Sequence, residues 1–197
     1  MIKAEYKDKD LITDILTDSF KENKSIINVT RKGKNQLKRI RKLMTFFFIN
    51  SLYNGDVFIS DNKKACLLML VKNGDKKRTI KQSLILLYWK INLFFNILGV
   101  KNVKNVMQRE KAINSKPDSS KHLHLYYVGV YKEFQGNSTG TNLINEAINY
   151  YNGFNSIYLE TSDKRNLSLY KRLGFTITKA HKELEITLYI LNKKLNV

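Results

Sequence analysis

The chain has 197 residues, 43% of them apolar and 11% aromatic, which is enough for one sizeable core and too hydrophobic for a disordered chain. Lysine and arginine outnumber aspartate and glutamate by 35 to 17, a net charge of +18 that would steer a polyanionic ligand toward the surface. The lysines are spread along the chain, and the densest run (Lys34, Lys38, Arg39, Arg41, Lys42) falls on a predicted helix without an RNP-type aromatic motif, zinc-finger spacing or basic zipper, which argues against nucleic acid as the primary partner.

In chain order, a short strand (Ile2 to Glu5) precedes a helix from about Lys9 to Phe20, whose apolar stripe is Leu11, Ile12, Ile15, Leu16 and Phe20. The first residues carry no signal-peptide pattern, so a cytoplasmic location is expected. A second helix spans roughly Lys34 to Tyr53. Asn54-Gly55-Asp56 reads as a turn into a strand (Val57 to Ser60), and Asp61-Asn62 turns back into the apolar run Ala65 to Val71. Cys66 lies in that run and is the single cysteine, so it reads as a buried strand thiol that can form neither an intrachain disulfide nor a cysteine metal cluster. No metal site is expected.

The next fifty residues read as two helices, Thr79 to Leu98 and Asn102 to Ile113, with Gly99 as breaker and Pro117 beyond. Lys90, Asn92 and Asn96 interrupt the apolar core of the first, which leaves it short of the roughly 20 residues a membrane span requires. A helix packed on the domain is expected, and a membrane-surface or homodimer face stays open. With no Gly/Pro/Ser-rich boundary, residues 1–197 read as one domain with an insertion at about 75–118.

A strand-like run, His124 to Val130, is followed by the loop Gln135-Gly136-Asn137-Ser138-Thr139-Gly140 and an amphipathic helix with Leu143, Ile144, Ala147, Ile148 and Tyr151 on one face and Gly153 as its stop. Small residues let successive backbone N–H groups converge at a helix N-terminus, a cradle for phosphate. The loop is neither a Walker motif nor a GxGxxG fingerprint. A further strand (Ser156 to Thr161) leads into Asn166-Leu167-Ser168-Leu169-Tyr170-Lys171-Arg172-Leu173-Gly174-Phe175, where Asn166 and Tyr170 lie one helical turn apart and Gly174 suits a left-handed C-cap.

These two elements, in this order, resemble the Gln/Arg-x-x-Gly-x-Gly/Ala loop and the Asn-x-x-x-x-Tyr-x-x-x-Gly-Phe segment of the GCN5-related N-acetyltransferases (GNAT). The resemblance covers about residues 123 to 192, and the first 120 residues by general plan. Two positions depart from the pattern: Ser138 stands where the family most often has its first loop glycine, and Lys132 stands at a common proline. Ser138 must therefore either keep a negative φ or strain the loop.

The resemblance implies an α/β fold with a mixed, mostly antiparallel central sheet, helices on both faces, and here a helical insertion between the third and fourth strands. It implies acetyl-coenzyme A as cofactor, held by Gln135, Gly136, Asn137, Ser138, Thr139, Gly140 and Thr141 at the pyrophosphate, by the backbone of Val128 and Val130 along the pantetheine, and by Asn166. In the family the strand carrying Val128 and Val130 splays from its neighbour, often at a bulge, and Gly129 suits one. The resemblance gives Tyr170 the role of general acid toward the leaving thiolate.

The acceptor would be a primary amine of a small molecule or peptide, attacking the thioester directly. His124 is the first candidate for the base and Glu160, on the neighbouring strand, the second. By the period-two rule His124, Tyr126, Val128 and Val130 share one strand face, provided any bulge lies beyond them. His122 and His181 read as surface residues. The alternatives are a non-catalytic coenzyme A-binding sensor or structural module, and a basic membrane-surface or nucleic-acid-associated protein.

Overall fold

The protein is described by a computed structural model over residues 1–72, 78–98, 122–183 and 186–195. Its frame is a seven-stranded sheet in the order β1-β2-β3-β4-β5-β7-β6. The strands are β1 (Ile2–Lys3), β2 (Gly55–Ile59), β3 (Ala65–Lys72), β4 (His122–Val130), β5 (Ser156–Thr161), β6 (Thr176–Glu183) and β7 (Ile186–Lys194). The β4–β5 pair is parallel and the other described pairs are antiparallel.

Both faces of the sheet are covered, which explains the near-continuous apolar sequence of β3, all buried from Ala65 to Leu70. On one face lie α1 (Lys9–Phe20) and α3 (Gln36–Asn54). They bury Ile12, Ile15, Leu16, Leu43, Met44, Phe48 and Ile49 against Val57, Cys66 and Leu68. On the other face α5 (Thr139–Tyr150) buries Leu143, Ile144 and Ala147 against Leu67, Met69, Leu125, Ile157 and Leu159. Cys66 is fully buried, and burial raises its thiol pKa beyond any physiological range, so it packs as a small apolar residue.

Three boundaries differ from the sequence reading. The chain passes from α3 into β2 without a turn, because the helix runs to Asn54 and Gly55 already pairs with Leu70. A short helix, α2 (Lys24–Val29), has no counterpart in the periodicity. It is too brief to show an apolar stripe and is started by Asn23, whose Oδ1 accepts from the Ser25 and Ile26 N–H groups at 2.9 and 3.2 Å. The strand expected to run to Glu5 ends at Lys3.

The insertion begins as expected. Thr79 and Gln82 form a capping box for α4 (Ile80–Asn92), and a π-helical turn, Leu93–Leu98, continues it. Leu86, Ile97 and Leu98 bury against the α1/α3 layer. The second expected helix, 102–113, lies outside the described residues. No described helix is long and apolar enough to cross a membrane. The last helix, α6 (Leu167–Arg172), ends at Gly174 with φ +85°, the left-handed stop read from the sequence.

Candidate active site

The site begins where the sheet stops closing. β4 and β5 share three residue pairs, His122↔Ser156, Leu123↔Ile157 and His124↔Tyr158, although β4 continues to Val130 and β5 to Thr161. Beyond His124 the two strands diverge into a fork. The register between β3 and β4 shifts by one residue at the same level, with Leu68 opposite Tyr127 and Met69 opposite Leu125, so Tyr126 is the extra residue of a bulge.

Gly129 is therefore not the bulge. It pairs in register with Cys66 and lets α1 lie close over it: an added Cβ would stand 3.1 Å from Leu16 Cδ2 and 3.3 Å from Ile15 Cγ2, so those side chains would have to give way. The bulge also breaks the expected common face. His124 and Tyr126 sit together on the α3 side, ring centroids 5.2 Å apart, whereas Val128 and Val130 pack into the α5 layer.

Two hollows flank the fork. The first, about 570 Å³, opens on the α3 side and is lined by His124, Tyr126, Tyr158 and Glu160 at its floor, with Phe46 and Phe47 from α3 above. The second, a groove of about 860 Å³, follows the loop and α5 and is lined by Val128, Val130, Gln135, Gly136, Ser138, Thr139, Gly140, Thr141 and Asn166. Asn137 alone of the loop residues singled out does not line it. The hollows share Phe20, Asn23, Val128, Ser162, Asp163, Asn166 and Tyr170, so they meet between the end of α1 and the start of α6.

The groove has the features of an anion cradle. Gly136 has φ +86° and Ser138 φ +58°, so Ser138 takes the left-handed conformation that carries a steric penalty for a residue with a Cβ. Ser138 is the N-cap of α5 yet makes no side-chain cap, and Thr139, Gly140 and Thr141 of that helix's first turn, where N–H groups lack intrahelical partners, line the groove. Gly140 lets the helix sit close on β4, since a Cβ there would lie 3.0 Å from Val130 Cγ2. Gln135 folds back, donating from Nε2 to the Val130 carbonyl at 3.1 Å.

The first hollow contains a buried acid–base pair. His124 Nε2 lies 3.1 Å from Glu160 Oε2, and the side chains are 7% and 9% exposed. Tyr158 stacks on the imidazole at 4.3 Å between centroids and 13° between planes, which fixes the ring. His124 and Glu160, two separate candidates in the sequence, thus form one unit. His122 is half-buried near the Tyr158 ring, at 5.5 Å, and His181 sits on β6, outside both hollows.

Tyr170 stands at the junction. Burial, and secondarily the negative charge of Asp163, pushes its phenol up to about 12, so it stays protonated at neutral pH and is available as a donor. Asp163 is itself held below the usual carboxylate range by hydrogen bonds from Arg165, whose Nη2 is 2.7 Å away.

Sequence reasoning did not single out the end of α1, which fastens the loop side of the fork. Ser19 Oγ donates to the Val130 carbonyl at 2.6 Å, and Asp18 Oδ2 accepts the Lys132 N–H at 2.8 Å. That N–H, then the Lys21 ammonium, holds the Asp18 carboxyl below its ordinary range. The partners are 111 and 114 residues apart, and no local pattern signals such contacts.

Residues 97–175 match the family model described as the acetyltransferase (GNAT) family. A solved structure from Corynebacterium glutamicum, described as histone acetyltransferase HPA2 and related acetyltransferase, superposes with a TM-score of 0.71 at 17% identity over 100% of this chain and 96% of that one. Arylalkylamine N-acetyltransferase 2 from Aedes aegypti gives 0.67 at 17% identity over 99% and 98%, and an agmatine N-acetyltransferase gives 0.61 at 11% over 98% and 97%. At these identities the likenesses show the fold. No curated protein matches the sequence.

Proposed function

We infer that this chain, a GNAT-family protein by its fold and by the match over residues 97–175, is an N-acetyltransferase that moves the acetyl group of acetyl-coenzyme A to a primary amine. The observation that carries the reading is the meeting of two hollows at Tyr170, one with an anion cradle and the other with a buried proton acceptor. When bound, the cofactor supplies the activated thioester. The residues of the groove fit it: the left-handed turn at Gly136 to Ser138 and the first turn of α5 would hold the pyrophosphate, and the fork between β4 and β5 would take the pantetheine arm, with Asn166 beside it.

The remaining work is positioning and proton management. The acceptor amine enters from the first hollow, and the His124–Glu160 pair takes the proton it must lose to attack. Tyr170, on the wall common to both hollows, returns a proton to the departing thiolate. Relatives described as acting on arylalkylamines and agmatine support a small amine as acceptor.

The test has two parts. Acetyl-coenzyme A should raise the melting temperature in proportion to the logarithm of its concentration, since a ligand bound by the native state alone shifts unfolding by mass action. Free thiol should then appear when a panel of primary amines is added. A melting curve unmoved at millimolar cofactor would end the cofactor assignment, and binding without thiol release from any amine would leave a non-catalytic coenzyme A binder.

A further inference from the structure

The charges around the first hollow are distributed unevenly. At its end toward the cofactor groove stand Glu160 and Asp163, the two carboxylates among its described lining residues, and Asp163 is paired with Arg165. Among the described residues three cations also line the hollow: Lys72 at the end of β3, and Arg78 and Lys90 from the insertion. None of the three lines the cofactor groove; Lys72 lies level with His122 and Ser156 at the closed start of the fork, and Arg78 is tied to Asn54 at the end of α3, which puts this end away from the junction at Asp163 and Tyr170. Arg78 donates to Asn54 Oδ1 at 2.9 Å, and no carboxylate among the described residues pairs with Lys72 or Lys90. Between the two ends the walls are aromatic: Phe46 and Phe47, with Tyr126, Tyr127 and Tyr158.

The register fixes the scale. Lys72 pairs with His122, His124 pairs with Tyr158, and Glu160 is two residues further along β5. Two strand spacings of about 4.8 Å and four residues of about 3.3 Å set the two Cα atoms about 16 Å apart. Side chains reaching inward from both ends reduce that gap to about the length of one aromatic ring with a short linker.

On the reading of the site as an acetyltransferase, we propose that the acceptor is an aromatic amine bearing an acidic group, a carboxylate or phosphate, at the end opposite its amino group. Its ammonium meets Glu160 and His124, its ring lies among the tyrosines and phenylalanines, and its acid reaches Lys72 and Lys90. Polyamines and lysine-rich peptides fit poorly, because they bring positive charge to a cationic mouth on a chain of net charge +18. A hollow of about 570 Å³ also lies within the usual range for a small organic ligand.

The experiment compares kcat/KM, by thiol release from acetyl-coenzyme A at low ionic strength, for 4-(2-aminoethyl)benzoate, 4-(2-aminoethyl)phenyl phosphate, 2-phenylethylamine and spermidine. At least one of the two acids should exceed 2-phenylethylamine by about tenfold or more, the effect of one good ion pair in a partly desolvated site. Which acid is faster separates carboxylate from phosphate recognition. Spermidine should be slowest. In the Lys72→Glu, Lys90→Glu double variant the preference for the acid should fall to unity or invert, with a retained acetyl-coenzyme A melting shift showing that the variant is folded. If 2-phenylethylamine or spermidine matches both acids, or the double variant keeps the preference, the acidic-acceptor proposal is wrong while acetyl transfer stands. If no amine in the set releases thiol, acetyl transfer to such amines falls and the proposal falls with it.

Discussion

Tyr170 makes the strongest demand on a single side chain. Its phenol is pushed up to about 12 by burial and by Asp163, so the site holds a neutral donor where a thiolate would depart. Tyr170→Phe removes that donor with almost no change in volume. Turnover should fall by about 10² to 10⁴ while the acetyl-coenzyme A melting shift persists, as single-turnover kinetics and thermal denaturation would show. Full turnover under chemistry-limited conditions would make Tyr170 a packing residue. Spacing sufficed to place Tyr170 on a helix and the loop residues in a turn, because both placements depend on local geometry, whereas the roles proposed for them come from the family resemblance. The His124–Glu160 pair was legible only as two separate candidates. Its members lie 36 residues apart, and the parallel pairing that brings them to 3.1 Å is a tertiary fact. For Ser138 the sequence left two outcomes open, and the backbone takes the strained one, φ +58°.

At the scale of elements, the site depends on how closely α5 seats on β4. Gly140 permits that seat, with Val130 Cγ2 3.0 Å and Val128 Cγ1 3.7 Å from where a Cβ would be. Gly140→Val should lift the first turn of α5 off the strand and separate the loop amides from the phosphate they are proposed to hold. Acetyl-coenzyme A affinity should weaken by about tenfold or more, against a loss of fold stability in the 1–3 kcal/mol range typical of overpacking. Isothermal titration alongside urea denaturation would separate the two, and unchanged affinity would place the phosphate elsewhere. Periodicity fixed the long elements well, since α1, α3 and α5 each bury a stripe against the sheet. The bulge that the family resemblance led us to expect was misplaced. Glycine at position 129 invited that reading, but its role is to admit α1, and the extra residue is Tyr126, whose type carries no bulge signal. The short α2 escaped for a related reason, because six residues are too few to show a period.

Across the whole molecule, several phenols are buried in ways that link folding to alkaline pH. Tyr170, Tyr151 and Tyr158 are raised chiefly by burial, with Asp163, Asp56 and Glu160 respectively adding to the effect. In the unfolded chain tyrosine ionises near pH 10, whereas these folded phenols keep their protons to about 12 for Tyr170 and in the same direction for the others. Between those limits the unfolded state binds fewer protons, so stability should decline as pH rises above about 10. The urea midpoint should drop there, and part of the 295 nm phenolate signal of the 11 tyrosines should appear only with unfolding. A single transition near pH 10 in a folded protein would contradict the burial of these side chains. The order of strands and helices left its mark on the hydrophobic pattern, the mixed sheet was implied by the family resemblance, and the cavity between α3, α4 and the fork is a product of assembly that neither could show. That fork also determines how the sheet holds together. It is an arrested zipper: three teeth are closed between a four-strand leaf, β1 to β4, and a three-strand leaf, β5, β7 and β6, and the remainder stays parted because the bulge turns β4 aside and Ser19 of α1 clasps its far end at Val130. The opening is the unclosed length of the sheet itself, so its shape is set by the same hydrogen bonds that hold the leaves, and an occupant lying along it spans both leaves as a missing rung would.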